Sequence, residues 1–143
     1  MVTATLIETL RVKNTLGEGV IWDAMGAAAW WTDIDGSKLY RYHPADKQLD
    51  QWSTPERLGC FALVADSDYL ICGFASGFAY FNPHSAELQW LHKIEQDNPG
   101  TRLNDGRADR QGRFWAGSMV ESGDPGAGAL YCLDQQLQVT SKV

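Results

Sequence analysis

Two short segments of the sequence contain the side chains best suited to chemistry. Glu18 lies between two glycines at the start of an apolar run, and Asn104 follows Arg102 in the most polar strand-like run of the chain. The flanking glycines leave the backbone free of bulk, so the Glu18 carboxylate can point into a narrow channel. Carboxylate and amide oxygens are the hard donors that Ca²⁺ and Mg²⁺ prefer. The two residues therefore indicate a divalent cation site. They form only part of one, because Ca²⁺ takes about six to eight oxygens.

Each segment also has a purely structural interpretation. A surface glutamate beside a turn has the same sequence pattern, and Asn-Asp-Gly at 104–106 is a common turn in which Asn and Asp bond to their own backbone. Simple strand alternation would place Asn104 and Asp105 on opposite faces. The lack of a His or Cys cluster in the sequence argues against a structural zinc site.

The elements that position these segments repeat along the chain. Asp23, Asp66 and Asp109 are 43 residues apart, and each closes a short apolar run that is followed by a tight turn and a second apolar run. A period in the low forties with several short strands per repeat is typical of propeller blades. We therefore predict an all-β protein, a β-propeller of four-stranded blades, with about three blades in this chain.

The repeat also predicts where the blades begin and end within a partial propeller over residues 1–143. We expect a leading strand at 4–13, blade one at about 18–52, blade two at about 59–93 and blade three at about 103–143. A propeller closes with about four to eight blades, so the chain supplies half a ring or less. It is the front portion of a longer protein, one of several chains that complete a ring, or an open arc.

Composition excludes several classes of protein. The chain has 143 residues, 44% of them hydrophobic, and six tryptophans, which is ample for a folded core. A net charge of -6 without a block of like charges argues against nucleic acid and anionic membranes as partners. No apolar stretch reaches the roughly 18 residues of a membrane span and no leader follows Met1, so we expect a cytoplasmic protein. Cys60, Cys72 and Cys132 are expected to be buried free thiols.

Blade three differs from the other two by an insertion. Tyr80 lies 40 residues after Tyr40, whereas Tyr131 lies 51 residues after Tyr80. The extra residues fall at 121–127, within one turn of one blade. Loops at the rim are where repeat proteins bind ligands, although a neutral lengthening of a surface loop fits the pattern equally well.

Several motifs together resemble the regucalcin (senescence marker protein) and gluconolactonase family. The matching segments are LGEG (16–19) with Trp22, WTDI (31–34), RLNDG (102–106) with Asp109, GRFW (112–115) and GSM (117–119). The match runs from about residue 15 to 132, in the family's order and spacing. The resemblance implies the N-terminal half of a six-bladed propeller that holds one divalent metal in its central channel and hydrolyses sugar lactones.

The same resemblance implies roles for four residues. Glu18 matches the family's first metal-binding glutamate, and Asn104 matches a substrate-contacting residue that reaches the metal in some relatives. Arg102 is implied to bind substrate beside Asn104, and Glu121 resembles a position that contacts substrate in some members. The base and the remaining metal ligands are implied to lie in later blades, so no catalytic residue is assigned. The implied cofactor is one divalent cation, with Ca²⁺ first and Mg²⁺, Mn²⁺ or Zn²⁺ as alternatives.

The expected function is therefore a metal-dependent sugar lactone hydrolase, gluconolactonase-like and a carboxylic ester hydrolase, that acts only within a complete six-bladed ring. Its expected partner is a small-molecule sugar lactone, and a homodimer that joins three blades to three is one way to complete the ring. Related propellers also hydrolyse phosphate esters, but the RLNDG segment favours lactones. The alternative is a non-catalytic propeller fragment that serves as a binding or interaction module through exposed tryptophans.

Overall fold

The chain forms three four-stranded antiparallel sheets in a computed structural model that describes residues 3–142. The strands are β1 (Gly17–Asp23), β2 (Ala28–Asp33), β3 (Lys38–His43), β4 (Gln48–Ser53), β5 (Leu58–Leu63), β6 (Leu70–Phe74), β7 (Gly77–Asn82), β8 (Glu87–Lys93), β9 (Thr101–Ala108), β10 (Phe114–Val120), β11 (Leu130–Leu133) and β12 (Val139–Lys142). Each sheet contains four consecutive strands in chain order. The predicted all-β fold with three propeller blades is confirmed.

Tight turns join neighbouring strands and end in a residue with left-handed backbone geometry. Ala27, Lys47 and Ala86 have φ of 48°, 59° and 59°, and each directly precedes the next strand of its blade. A type I turn followed by one left-handed residue is a common connection of this length in hairpins. These turns keep successive strands antiparallel within each blade.

The aspartates of the 43-residue repeat lie beside turns: Asp23 is the last residue of β1, and Asp66 and Asp109 lie in the turns after β5 and β9. Asp23 accepts hydrogen bonds from two backbone N–H groups of its turn at 3.0 and 2.9 Å, and Asp109 accepts two at 2.8 and 3.0 Å. Asp66 differs, since its own backbone is left-handed with φ of 53°. The repeat that reveals the fold is therefore a set of turn residues.

Two hydrophobic clusters separate the three blades. Phe61, Phe74 and Phe81 of blade two pack with residues of blade one, whereas Phe78 packs with Phe114 and other residues of blade three. The middle blade thus buries both faces. Blades one and three each bury one face against it.

Residues 4–13, predicted to be a leading strand, form no strand in the structure. This segment pairs with no neighbour among residues 3–142, and a strand requires a hydrogen-bonded partner. The segment is instead held by a side-chain hydrogen bond, in which the Tyr42 hydroxyl donates to the Glu8 carboxylate at 2.8 Å. The predicted leading strand is therefore absent from this structure.

The cysteines are buried free thiols, as predicted. Burial raises the pKa of Cys60 and of Cys72. Both thiols are therefore protonated at neutral pH and poor nucleophiles. Residues 3–142 contain no helix with the length and apolar character needed to cross a bilayer.

Candidate functional site

The starts of β1, β5 and β9 lie at one end of the three blades, which we call the site end. β5 packs between β1 and β9. A Cβ placed on Gly59 of β5 would collide with the Asn104 carbonyl group and lie 2.7 Å from the Leu103 oxygen of β9. Only glycine allows this close approach of two backbones. Gly59 therefore holds β5 directly against the strand that contains Asn104.

Each of the three innermost strands has a register shift near its start. The shifts lie between Glu18 and Ile21 in β1, between Leu58 and Cys60 in β5, and opposite Ala116 to Ser118 in β9. A β-bulge redirects side chains and breaks simple alternation. Strict alternation is thus not maintained through Asn104 and Asp105, of which Asn104 is half-buried and Asp105 exposed.

Arg102 is a buried charge at the site end, with 5% of its side chain exposed. Its Nε donates to Glu121 Oε1 at 3.0 Å, and its Nη1 donates to Asn104 Oδ1 at 2.8 Å and to the Leu103 carbonyl oxygen at 3.1 Å. Nη2 makes no hydrogen bond to the described residues. It is not completely buried, so it differs from the unpaired atoms that are. Arg102 therefore presents one free nitrogen from an otherwise fixed guanidinium group.

Glu121 lies directly after β10 and accepts hydrogen bonds from two arginines. Arg57 Nη1 and Nη2 each donate to one of its carboxylate oxygens at 2.7 Å, in addition to the bond from Arg102. The Arg57 hydrogen bonds lower the pKa of Glu121 to about 2, with a further contribution from Arg102, against a smaller opposing effect of burial. Glu121 is consequently ionised at neutral pH. Arg57 also lies 3.7 Å from Asp35 of blade one.

Glu18 lies on β1 opposite Thr32, at the site end, and is exposed. It makes no hydrogen bond or ion pair within residues 3–142. The segment before it is fixed by Asp33, which accepts backbone hydrogen bonds from Leu16 at 2.8 Å and from Thr15 at 3.0 Å. Burial tends to raise the pKa of Asp33, but these hydrogen bonds lower it. Asp33 thereby positions the start of β1 while Glu18 remains available to a ligand.

The insertion of blade three forms the connection between β10 and β11. Its residues and the ends of the flanking strands line a cleft of about 720 Å³, and Met119, Glu121 and Leu130 are among the lining residues. The inserted loop therefore borders the carboxylate that Arg57 and Arg102 hold.

The structure joins three of the four predicted site residues. Arg102 contacts both Asn104 and Glu121, whereas Glu18 has no direct contact with them. Arg57 was not predicted as a site residue from the sequence. A signal was present, because Arg-Leu occurs at 57–58 and again at 102–103, in each case at the start of an innermost strand.

The oxygen ligands at the site end are of the kind that a hard divalent cation prefers, but they are too few for a complete site. Glu18 offers a free carboxylate, while Asn104 Oδ1 already accepts a hydrogen bond from Arg102. Within the described range no three His, Cys, Asp or Glu side chains form a cluster that could hold a metal ion. Two oxygen donors fall short of the three or four protein ligands expected for Ca²⁺, so these three blades do not form a complete metal site by themselves.

Comparison with known families identifies the relationship. Residues 16–143 match the model of the SMP-30/Gluconolactonase/LRE-like region. The chain belongs to this family.

Curated relatives include two lactonases that the chain matches along most of its length. It is 40% identical over 136 residues to L-arabinolactonase of Azospirillum brasilense, and the matched region covers 94% of the chain and 44% of that relative. It is 31% identical over 132 residues to 6-deoxy-6-sulfogluconolactonase of Pseudomonas putida, covering 92% of the chain and 45% of that relative. The chain thus spans less than half the length of these relatives.

Solved structures of the same fold agree with this family membership. A calcium-binding protein, regucalcin, from Agrobacterium tumefaciens superposes with a TM-score of 0.81 at 28% identity, over 90% of this chain and 43% of that chain. A luciferin-regenerating enzyme superposes with a TM-score of 0.83 at 24% identity, over 90% of this chain and 45% of that chain, which supports the fold alone. The three blades correspond to just under half of each structure.

Proposed function

We propose that the chain is part of a metal-dependent sugar lactone hydrolase that acts only within a complete six-bladed ring. The observation that carries this proposal is the buried Arg102, which is fixed by Glu121 and Asn104 and keeps one nitrogen free. Membership of a family with two lactonases among its relatives supports the substrate class. We also place the protein in the cytoplasm, because free cysteines persist in a reducing compartment.

The proposed substrate contacts follow from the free donors and acceptors of the site. Arg102 Nη2 donates to an oxygen of the lactone, and the Asn104 amide binds a neighbouring sugar oxygen. Glu121 Oε2 accepts a single hydrogen bond, from Arg57, so it retains an acceptor position for a sugar hydroxyl. Fixed donors of this kind stabilise negative charge as it develops on an oxygen during acyl transfer.

Glu18 and Asn104 are the residues of these blades that we propose as donors to one divalent cation. Such a cation, when bound, would supply Lewis acid polarisation of the lactone carbonyl. Ca²⁺ is our first choice because both donors are hard oxygens, with Mg²⁺, Mn²⁺ and Zn²⁺ as alternatives. We propose that the further ligands and the base come from the three blades that complete the ring.

The exposed apolar side chains support completion of the ring. Ile21 packs into the cluster between blades one and two, so its neighbour Trp22 lies on the other face of blade one, 58% exposed. Blade three exposes Leu130 by 44% and Met119 by 36%. We propose that three further blades cover both open faces, supplied by a second copy or by a continuation of the chain.

The alternative function, a binding module, requires exposed tryptophans, and the positions of the tryptophans do not favour it. Among the tryptophans of residues 3–142, only Trp22 is strongly exposed, and it lies on an open face of blade one. Trp30 is buried and stacks on Trp52 at 5.5 Å between ring centroids. These positions match the requirements of blade packing better than those of a separate protein-binding surface.

The metal assignment is tested with Glu18→Gln. We expect the wild type to gain thermal stability on titration with Ca²⁺, and Glu18→Gln to lose this gain, because the amide is a weaker ligand than the carboxylate. Asp23→Asn is the control, since its carboxylate serves a turn away from the site end. A melting temperature of Glu18→Gln that still rises with Ca²⁺ would place the metal elsewhere.

A further inference from the structure

We propose that Arg57 is a positioning residue of the lactone site: it fixes the Glu121 carboxylate, and this carboxylate in turn orients Arg102. The identity of the ligand depends on the proposed function, whereas the role of Arg57 is argued from hydrogen bonds within the chain.

Two parallel hydrogen bonds define the contact between Arg57 and Glu121. Both are 2.7 Å long, and they join Nη1 to Oε1 and Nη2 to Oε2. Bidentate pairing of arginine with a carboxylate fixes orientation as well as distance. Asp35 lies 3.7 Å from Arg57 on the side of blade one. Arg57 thus connects all three blades at the site end.

The hydrogen bonds of Glu121 divide its two oxygens into different roles. Oε1 accepts from both Arg57 and Arg102, whereas Oε2 accepts from Arg57 alone. Each carboxylate oxygen has about two acceptor positions, so Oε2 retains one for a ligand. Because Arg57 donates to both oxygens, it fixes the plane of the Glu121 carboxylate. Without Arg57 the carboxylate rotates more freely, and neither its hydrogen bond to Arg102 nor its open acceptor position is held in place.

Arg57 and Arg102 occupy matching positions in successive blades but differ in burial. Each precedes a fully buried leucine, Leu58 or Leu103, at the start of an innermost strand. The Arg102 side chain is 5% exposed and that of Arg57 is 35% exposed. The buried arginine keeps Nη2 without a partner among the described residues, while the outer arginine uses both of its Nη nitrogens on Glu121.

Arg57→Lys tests this role because lysine keeps the charge and loses the two parallel hydrogen bonds. The first readout is the ¹⁵N NMR signal of the Arg102 Nε–H group without ligand. The second is the dissociation constant for a sugar lactam, a slowly hydrolysed analogue of the lactone. We expect faster exchange of the Arg102 Nε–H with water, and weakening of lactam binding by about tenfold.

Arg41→Lys is the matched control for this experiment. Arg41 also donates two hydrogen bonds to a carboxylate, at 2.9 and 2.7 Å to Oδ2 of Asp50, within blade one between β3 and β4. We expect it to leave both readouts unchanged. An unaltered Arg102 signal in Arg57→Lys would overturn the inference. A six-bladed assembly of the wild type that binds no lactam would instead overturn the proposed function, while the Arg102 signal still decides the role of Arg57.

Discussion

Arg102 is a buried charged residue, with only 5% of its side chain exposed. Burial of a charge is costly unless the partners satisfy it, and here one carboxylate, one amide oxygen and one backbone carbonyl accept its hydrogen bonds. Three of its donors are therefore used for structure. The remaining nitrogen can bind a ligand without any rearrangement of the side chain, which is the arrangement expected of a substrate anchor.

The low pKa of Glu121 predicts a pH-dependent contribution to stability. Hydrogen bonds from Arg57, and then from Arg102, lower this pKa from 4.5 to about 2. The ionised carboxylate therefore stabilises the fold fully above pH 4.5, and this stabilisation is lost as the pH falls towards 2. We expect Glu121→Gln to unfold more easily than wild type by about 1 kcal/mol at neutral pH, a small value because solvent screens a side chain that is 36% exposed.

Urea unfolding of both proteins at neutral pH and near pH 2.5 checks this expectation, with about 2.5 chosen to lie close to the folded pKa. The difference between wild type and Glu121→Gln should shrink at the lower pH. Other carboxylates titrate in both proteins alike, so their effects cancel in the difference. A difference that stays constant across this range would mean that the Glu121 charge does not stabilise the fold.

At the scale of elements, the contact between β5 and β9 decides where Asn104 lies. We expect Gly59→Ala to destabilise the protein by about 1–3 kcal/mol, because its methyl group meets backbone atoms of Leu103 and Asn104. Gly117→Ala is the matched control, since a Cβ there meets nothing within 4 Å. Urea unfolding measures both. Equal stability of the two variants would contradict the close packing of β5 and β9.

The periodic elements were predictable because their signal lies in local sequence. Apolar runs, tight turns and the aspartates 43 residues apart describe each blade without reference to distant residues. The segment 4–13 has the composition of a strand, yet a strand also needs a partner, which local sequence does not reveal. The bulge near Asn104 was missed for a similar reason, because it is a property of the pairing between β9 and β10.

The candidate site was predictable only in part. Arg102, Asn104 and Glu121 were identified by resemblance, and the structure joins them by hydrogen bonds. Arg57 was not, because it lies in a segment interpreted as a connection between blades and contacts Glu121 at a separation of 64 residues. Contacts between blades depend on how the sheets stack, which a period along the sequence does not specify.

At the scale of the whole molecule, the two outer blades leave apolar faces uncovered. Trp22 on blade one and Leu130 on blade three are largely exposed, whereas blade two buries phenylalanines on both faces. The chain spans under half of its lactonase relatives, so three more blades would cover both faces and close the channel. Glu18 and Arg102 would then face an enclosed site.

The most direct test is lactone hydrolysis assayed across a size-exclusion profile with light scattering on the 143-residue chain. We predict hydrolysis that a chelator abolishes, confined to fractions whose mass is twice the 15.9 kDa of one chain, where six blades are present. Fractions of a single chain should be inactive. Chelator-insensitive hydrolysis by single chains, or six-bladed assemblies that bind Ca²⁺ and hydrolyse no lactone, would contradict the account.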